Sequence, residues 1–147
     1  MLKTTIKSFQ ELSTNELYHI LHLRSEIFVV EQNCVYQDID YKDQKAIHVL
    51  GYLNHVLIAY TRIFKPNDYF KMASIGRVLV KQNQRKSNYG YDIMKSSIDY
   101  INKDLNENEI KISAQVYLKR FYNNLGFKEI GEEYLEDGIP HTAMIKE

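Results

Sequence analysis

The chain has 147 residues and a single cysteine, and its 19 lysines and arginines balance its 19 aspartates and glutamates to a net charge of zero. That length suits one ordinary domain able to bury a core without disulfides. Charge neutrality argues against a broad nucleic-acid-binding face, Cys34 alone excludes an internal disulfide, and no apolar run approaches the roughly 20 residues of a membrane-spanning helix. Cysteine usage fits a reducing compartment, and residues 1–7 turn polar too soon for a signal peptide, so a cytoplasmic protein is expected. No His/Cys spacing points to a metal.

In chain order, Thr4 to Phe9 reads as a short strand. Ser13 opens a helix with the capping-box partner Glu16, and Leu17, Ile20, Leu21, Arg24, Ile27 and Phe28 continue it at helical spacing to about Val30. Glu31 to Lys45 is polar and aperiodic, an ordered loop. His48 to Leu53 and Val56 to Phe64 are strands joined by the turn Asn54-His55, and Met72 to Val80 is a central strand. Tyr91, Met94, Ile98 and Ile101 mark a helix over Gly90 to Asn102. Ile110 to Gln115 is a strand, Leu118 to Asn124 a short helix, and Lys128 to Tyr134 and Thr142 to Ile145 are late strands joined through Asp137-Gly138. This order predicts one α/β (α+β) domain over residues 1–147, a mixed sheet with helices on its faces.

Two segments carry chemistry. In the first, the strand Val78 to Val80 runs into a polar loop holding Arg85, Asn88 and Gly90 just where a helix begins. A helix start offers unpaired N–H groups and partial positive charge, glycine permits close approach, and asparagine tolerates positive φ. That makes residues 85–90 a candidate phosphate site, the alternative being a plain loop into an amphipathic helix. In the second, Leu118-Lys-Arg-Phe-Tyr-Asn-Asn-Leu-Gly-Phe127, Gly126 stops a short helix, and Phe121, Leu125 and Phe127 anchor it, leaving the Tyr122 hydroxyl able to reach a site.

Together these segments resemble the GNAT superfamily of acyl-CoA-dependent N-acetyltransferases. The family's phosphate loop, Arg/Gln-x-x-Gly-x-Gly/Ala, matches Arg85-Lys-Ser-Asn-Tyr-Gly90 with Asn88 in place of the first glycine, and Phe-Tyr-x-x-x-Gly-Phe matches Phe121 to Phe127 unchanged. Phe28-Val-Val-Glu-Gln-Asn-Cys-Val-Tyr-Gln-Asp-Ile-Asp40 and Glu136-Asp-Gly-Ile-Pro-His141 are similar to the ElaA-type branch. The resemblance implies a GNAT-like domain with a central sheet of six to seven strands, splayed between the strand before Arg85 and the strand ending at Gln115. It implies acetyl-CoA as co-substrate, its pantetheine arm in the splay along the backbone of Val78, Leu79 and Val80, with Gln115 opposite. The phosphates would lie on Arg85, Lys86, Ser87, Asn88, Tyr89 and Gly90. It implies a primary amine as acceptor, on a small molecule, a peptide or a protein, and a homodimer as assembly.

Within that frame Tyr122 is the general acid toward the departing thiolate. An ordinary phenol, pKa about 10, gives its proton to a cysteine-like thiolate, pKa about 8.5, at a cost of roughly 2 kcal/mol, so a hydrogen bond or shared proton is the better role. Deprotonating a lysine-like amine at pH 7 costs roughly 4.6 kcal/mol, so a base is needed. Some family members carry a glutamate on the strand before the phosphate loop, but Ile75-Gly-Arg-Val78 holds no carboxylate. Glu31, within the ElaA-like block, ranks first among the remaining candidates, ahead of His48 and His141. Arg62 and Arg77 fall on adjacent strands, where cations need anionic partners. Internal acids such as Asp38, Asp40 or Glu31 are one reading and a clamp on an anionic acceptor the other, with one arginine expected near the acceptor pocket. The loop Glu31 to Lys45 and the turn Glu136 to His141 are where acceptor choice is expected. A domain that binds acyl-CoA without turning it over, as sensor or scaffold, is the rival to the enzyme.

Overall fold

The computed structural model describes residues 2–147. Seven strands form one sheet: β1 (Lys3–Ser8), β2 (Ile47–Leu53), β3 (Val56–Phe64), β4 (Ala73–Val80), β5 (Ile110–Gln115), β6 (Lys128–Glu136) and β7 (Ile139–Lys146). Their spatial order is β1-β2-β3-β4-β5-β7-β6, antiparallel except for the β4–β5 pair. Three helices flank it: α1 (Thr14–Arg24), α2 (Tyr89–Lys103) and α3 (Lys119–Asn124).

Each sheet face has its own core. On one face α2 lays Ile93, Met94, Ile98 and Ile101 against Val49, Ile58, Ile63, Ile75 and Ile112, and α3 adds Tyr122. On the other, Ile20 and Leu23 of α1, with Ile27 just beyond it, meet Leu50, Leu57, Tyr60 and Leu79. Each fully buried aliphatic side chain contributes about 1.5–3 kcal/mol. The capping box at the start of α1 forms as its sequence predicts, Ser13 Oγ accepting from the Glu16 amide at 3.0 Å and Glu16 Oε1 from the Ser13 amide at 2.8 Å.

Two stretches depart from the pattern. The first helix does not continue regularly to Val30: Ser25–Glu31 widens into a π-helix, and its wider spacing persists where the Gln32 and Cys34 amides reach back to the carbonyls of Ile27 and Val29. Such wide turns concentrate at functional sites. Second, β7 starts at Ile139 rather than Thr142. Pro140 argues for a turn, yet it lies beyond the end of β5, opposite Leu135 of β6 alone, so its missing N–H breaks no ladder on the β5 side. His141 is thereby a strand residue, paired with Gln115 and Tyr134.

Candidate active site

The parallel strands β4 and β5 are hydrogen-bonding neighbours only at Ala73–Ile110 and Ser74–Lys111, and beyond those pairs they diverge. A bulge aids the divergence. Tyr60 stands opposite Leu79, but Arg62 stands opposite Gly76, so Arg77 and Val78 together face Thr61. Arg77 carries the irregularity at φ 48. The gap is a cleft of about 380 Å³ whose lining includes Gly76, Val78, Gln115, Tyr122 and His141. Because β5 has left, one edge of the β4 backbone is open to it.

The π-helical segment covers the cleft from the α1 side and ties to each of its borders. Arg85 donates from both terminal guanidinium nitrogens to the Glu31 carboxylate and from Nε to the Val80 carbonyl at 2.9 Å. Gln32 and Gln115 exchange amide hydrogen bonds, each at 3.2 Å. Cys34 Sγ donates to the Asp137 carbonyl at 3.3 Å.

At the opening of α2, Asn88 adopts the left-handed conformation, φ 63 and ψ 18, as its place in the glycine-substituted loop requires. The first α2 amides, at Tyr89 and Gly90, have no acceptor within that helix. Gly90 has a second reason to be glycine: an added Cβ would stand 3.2 Å from the Phe121 ring. Arg85, Asn88 and Gly90 line the cleft, as do Val78, Leu79 and Val80, whereas Lys86, Ser87 and Tyr89 do not. Lys86 and Ser87 are exposed, and Tyr89 packs against the α2-side core.

From the opposite face, α3 brings in Tyr122. Gly126 ends α3 at φ 95, with the amides of Gly126 and Phe127 returning to the carbonyls of Asn123 and Tyr122. Phe121 and Phe127 meet the Tyr122 ring edge-to-face, at 5.0 and 6.1 Å. Burial pushes the phenol well above its ordinary pKa, and no hydrogen bond contributes. Tyr122 is therefore a protonated donor at the cleft wall.

The structure corrects two readings of charge. Arg62 is 1 % exposed and points away from the cleft, bonded to Asp40 and Asp43. It belongs to a sealed network of three arginines and three aspartates. Arg24, within the apolar stripe of α1, bonds Asp38 and Asp43. Arg77 reaches the Asp38 carbonyl at 2.9 Å, and its Nε lies 2.8 Å from Asp38 Oδ1 but off the hydrogen-bonding direction. Burial alone would raise the Asp40 and Asp43 carboxyls. The bond from Arg62 to Asp40 and the charge of Arg24 beside Asp43 outweigh it and hold both below the usual carboxylate range. Only Arg77 of the strand arginines lines the cleft, its guanidinium over the Tyr36 ring. His48 is not a base in the site. It is fully buried between the Tyr60 hydroxyl, 2.6 Å from Nδ1, and the Asp43 carbonyl, 3.0 Å from Nε2, and burial lowers its pKa.

Glu31 lines the cleft, but both its oxygens engage Arg85, which ties it to the helix-start end. His141 lines the cleft, 6 % exposed, beside Glu136 and Asp137. Sequence reasoning gave Gln32, Tyr36 and Glu136, which lie within the ElaA-like blocks, no individual role, and it passed over Ser113 and Tyr134. The signals available for the network were the strand cations Arg62 and Arg77 and a third cation, Arg24, in an apolar stripe ahead of three aspartates within 38–43. Among the described residues no group of three or more His, Cys, Asp or Glu is placed to hold a metal, and no helix is long and apolar enough to cross a membrane.

Residues 11–147 match the family model described as an acetyltransferase (GNAT) domain. The chain belongs to the GNAT family. This GNAT chain is 41 % identical over 139 residues to protein ElaA of Escherichia coli, covering 93 % of this chain and 91 % of ElaA. The crystal structure of Escherichia coli ElaA superposes with a TM-score of 0.93 at 38 % identity over the full length of both chains. So does the crystal structure of an acyl-CoA N-acyltransferase from Pseudomonas aeruginosa, TM-score 0.93 at 34 % identity, again over both full lengths. Family membership implies an acyl-CoA co-substrate, and the open β4 edge beside a helix start is chemically suited to one.

Proposed function

We propose that this GNAT domain transfers an acetyl group from acetyl-CoA to a primary amine by direct attack in a ternary complex. The observation that carries the reading is Tyr122: a protonated phenol in the cleft between splayed strands, with no hydrogen bond shifting it. The open edge of β4 at Val78 and Val80 supplies amides for a pantetheine arm. The Val80 carbonyl already accepts from Arg85, so the arm would use the remaining groups. The amides of Tyr89 and Gly90 face the diphosphate, with the Arg85 cation beside them. The bulge at Arg77–Val78 interrupts the ladder with β3 beside the gap, and a strand amide freed there would meet the thioester oxygen as it gains negative charge when the amine adds.

The environment of Tyr122 decides its role. A phenol whose pKa burial has raised is a weaker acid than free tyrosine, so complete proton transfer to a thiolate is more uphill than for an ordinary phenol. Tyr122 donates a hydrogen bond to the leaving sulfur, and the proton that finally rests on the thiol comes from the attacking nitrogen. Tyr122→Phe removes that donor and keeps the ring. Release of free thiol from acetyl-CoA across a panel of amines should fall on the order of 10²-fold in kcat with acetyl-CoA affinity nearly unchanged. Binding of acetyl-CoA by calorimetry with no thiol release from the unmodified protein on any amine would favour the rival, a non-catalytic acyl-CoA sensor. The absence of a carboxylate on β4 and the engagement of Glu31 by Arg85 are the features that speak for that rival.

A further inference from the structure

Resting on that transfer reading, we propose that His141 and Glu136 form the acceptor subsite, built for a primary amine in its cationic form: Glu136 holds the ammonium and His141 Nε2 removes its proton. The orientation of the ring decides which nitrogen can act. His141 Nδ1 lies 2.7 Å from the Ile139 carbonyl, which can only accept, so Nδ1 carries the hydrogen and the lone pair of the neutral ring sits on Nε2. Nε2 faces Glu136 Oε2 at 3.5 Å, without a hydrogen bond. Two acceptors thus look at one another across a gap at the cleft wall. An ammonium, with three donors and a positive charge, satisfies both at once.

Glu136 is held ready for this. Ser113 Oγ donates to Glu136 Oε1 at 3.2 Å, so the Tyr134 hydroxyl in contact with that Oγ must donate to it. The relay fixes one carboxylate oxygen and leaves Oε2 toward His141. The Tyr134 ring stacks on the imidazole, centroids 6.1 Å apart and 22° between planes. The His141 side chain is 8 % exposed while that of Glu136 is 46 % exposed, so an amine arriving from solvent meets the carboxylate first and the imidazole second. Space exists beyond them: nothing lies within 4 Å of where a Cβ on Gly76 would stand, in the same cleft. The field agrees in sign. Asp137 also lines this end, and the neighbouring cation Arg77 is matched by Asp38 and Asp40. An anionic acceptor finds no free cation there.

The protons and electrons balance without another reactant. The ammonium gives one proton to Nε2 and becomes an amine with two hydrogens. Its lone pair forms the N–C bond to the thioester carbonyl carbon, and the C–S bond breaks with its electrons on sulfur. A second proton leaves nitrogen for the thiolate, giving amide and free thiol, and the imidazolium returns its proton to water.

The test uses the full chain with 15N-labelled histidine, 1,5-diaminopentane as probe, and aspartate as an anionic amine for contrast. The diamine should shift the His141 Nε2 resonance in the unmodified protein and not in Glu136→Gln, and aspartate should leave it unmoved. In thiol-release assays, Glu136→Gln should raise KM for the diamine about tenfold with kcat largely kept. His141→Gln should lower kcat on the order of 10²-fold or more with KM for acetyl-CoA unchanged, each variant first checked for an unaltered melting temperature. A resonance that ignores the diamine, or a His141→Gln protein that keeps its kcat, overturns the subsite while the transfer reading stands. A resonance that responds in a protein releasing no thiol leaves the amine site intact and removes the transfer reading instead. Should both variants lose the fold, a pair serving only as an internal ion pair is the result, and the inference falls.

Discussion

Arg62 and Arg85 each grip a carboxylate with two nitrogens, in opposite surroundings. Arg62 is 1 % exposed, and its partners Asp40 and Asp43 are shared with Arg24 and Arg77. Arg85 has a 39 % exposed side chain, and its partner Glu31 is shared with no other cation. The first contact is sealed under the sheet and fixes the loop that follows the π-helix. The second bridges the mouth of the cleft, in reach of water and ions. Burial, not bond geometry, separates a structural charge from one free to rearrange.

The largest effect should come from the sealed side. Asp43→Ala leaves Arg24 and Arg62 each short of a partner, and denaturant unfolding should show a loss of about 3–5 kcal/mol. Gly90→Ala sharpens the comparison at the cleft. Overpacking against Phe121 and the better helix propensity of alanine oppose one another, so stability should change by no more than about 1 kcal/mol. The displaced Phe121 ring abuts Tyr122, so turnover should nonetheless fall about tenfold in steady-state kinetics.

Acid titration probes the sealed groups together. His48 is held neutral, its pKa lowered by burial, so the unfolded chain takes up a proton first as pH falls through about 6.5 and stability starts to decline there. Asp40 and Asp43 are also lowered, so their contribution is complete above about pH 4 and is lost below it. Unfolding free energies measured between pH 7 and 3 should therefore descend in two stages. The smallest effect belongs to Glu31→Gln, below about 1 kcal/mol in stability and fading with added salt. Equal costs for Glu31→Gln and Asp43→Ala would erase the distinction between the two sites.

What could be read in advance was what neighbours in sequence decide. The bounds of β5, the stop at Gly126, the left-handed Asn88 and the two-residue turns at Asn54-His55 and Asp137-Gly138 follow from residue types a few positions apart. Arg24 and Arg62 could not be assigned, because their partners lie 14 to 22 residues away and only the folded loop brings the aspartates over the sheet. The π-helix escaped notice because its residues keep an apolar stripe compatible with an α-helix. His141 and Glu136 were both visible as residues. Their facing atoms depend on the extension of β7 past Pro140, which the proline itself argued against.

The extra residue in β4 has one further effect. In a flush strand, positions 73, 75 and 79 would share a side. Here Ala73 and Ile75 face α2 while Leu79 faces α1, so the insertion swaps the strand's sidedness midway. Deleting one residue at 77 or 78 would leave a single residue opposite Thr61 and restore the ladder, with Leu79 still opposite Tyr60 and Val80 still opposite Ala59. Both hydrophobic layers would thus survive its removal, and what the fault alters is the course of the strand beside the cleft.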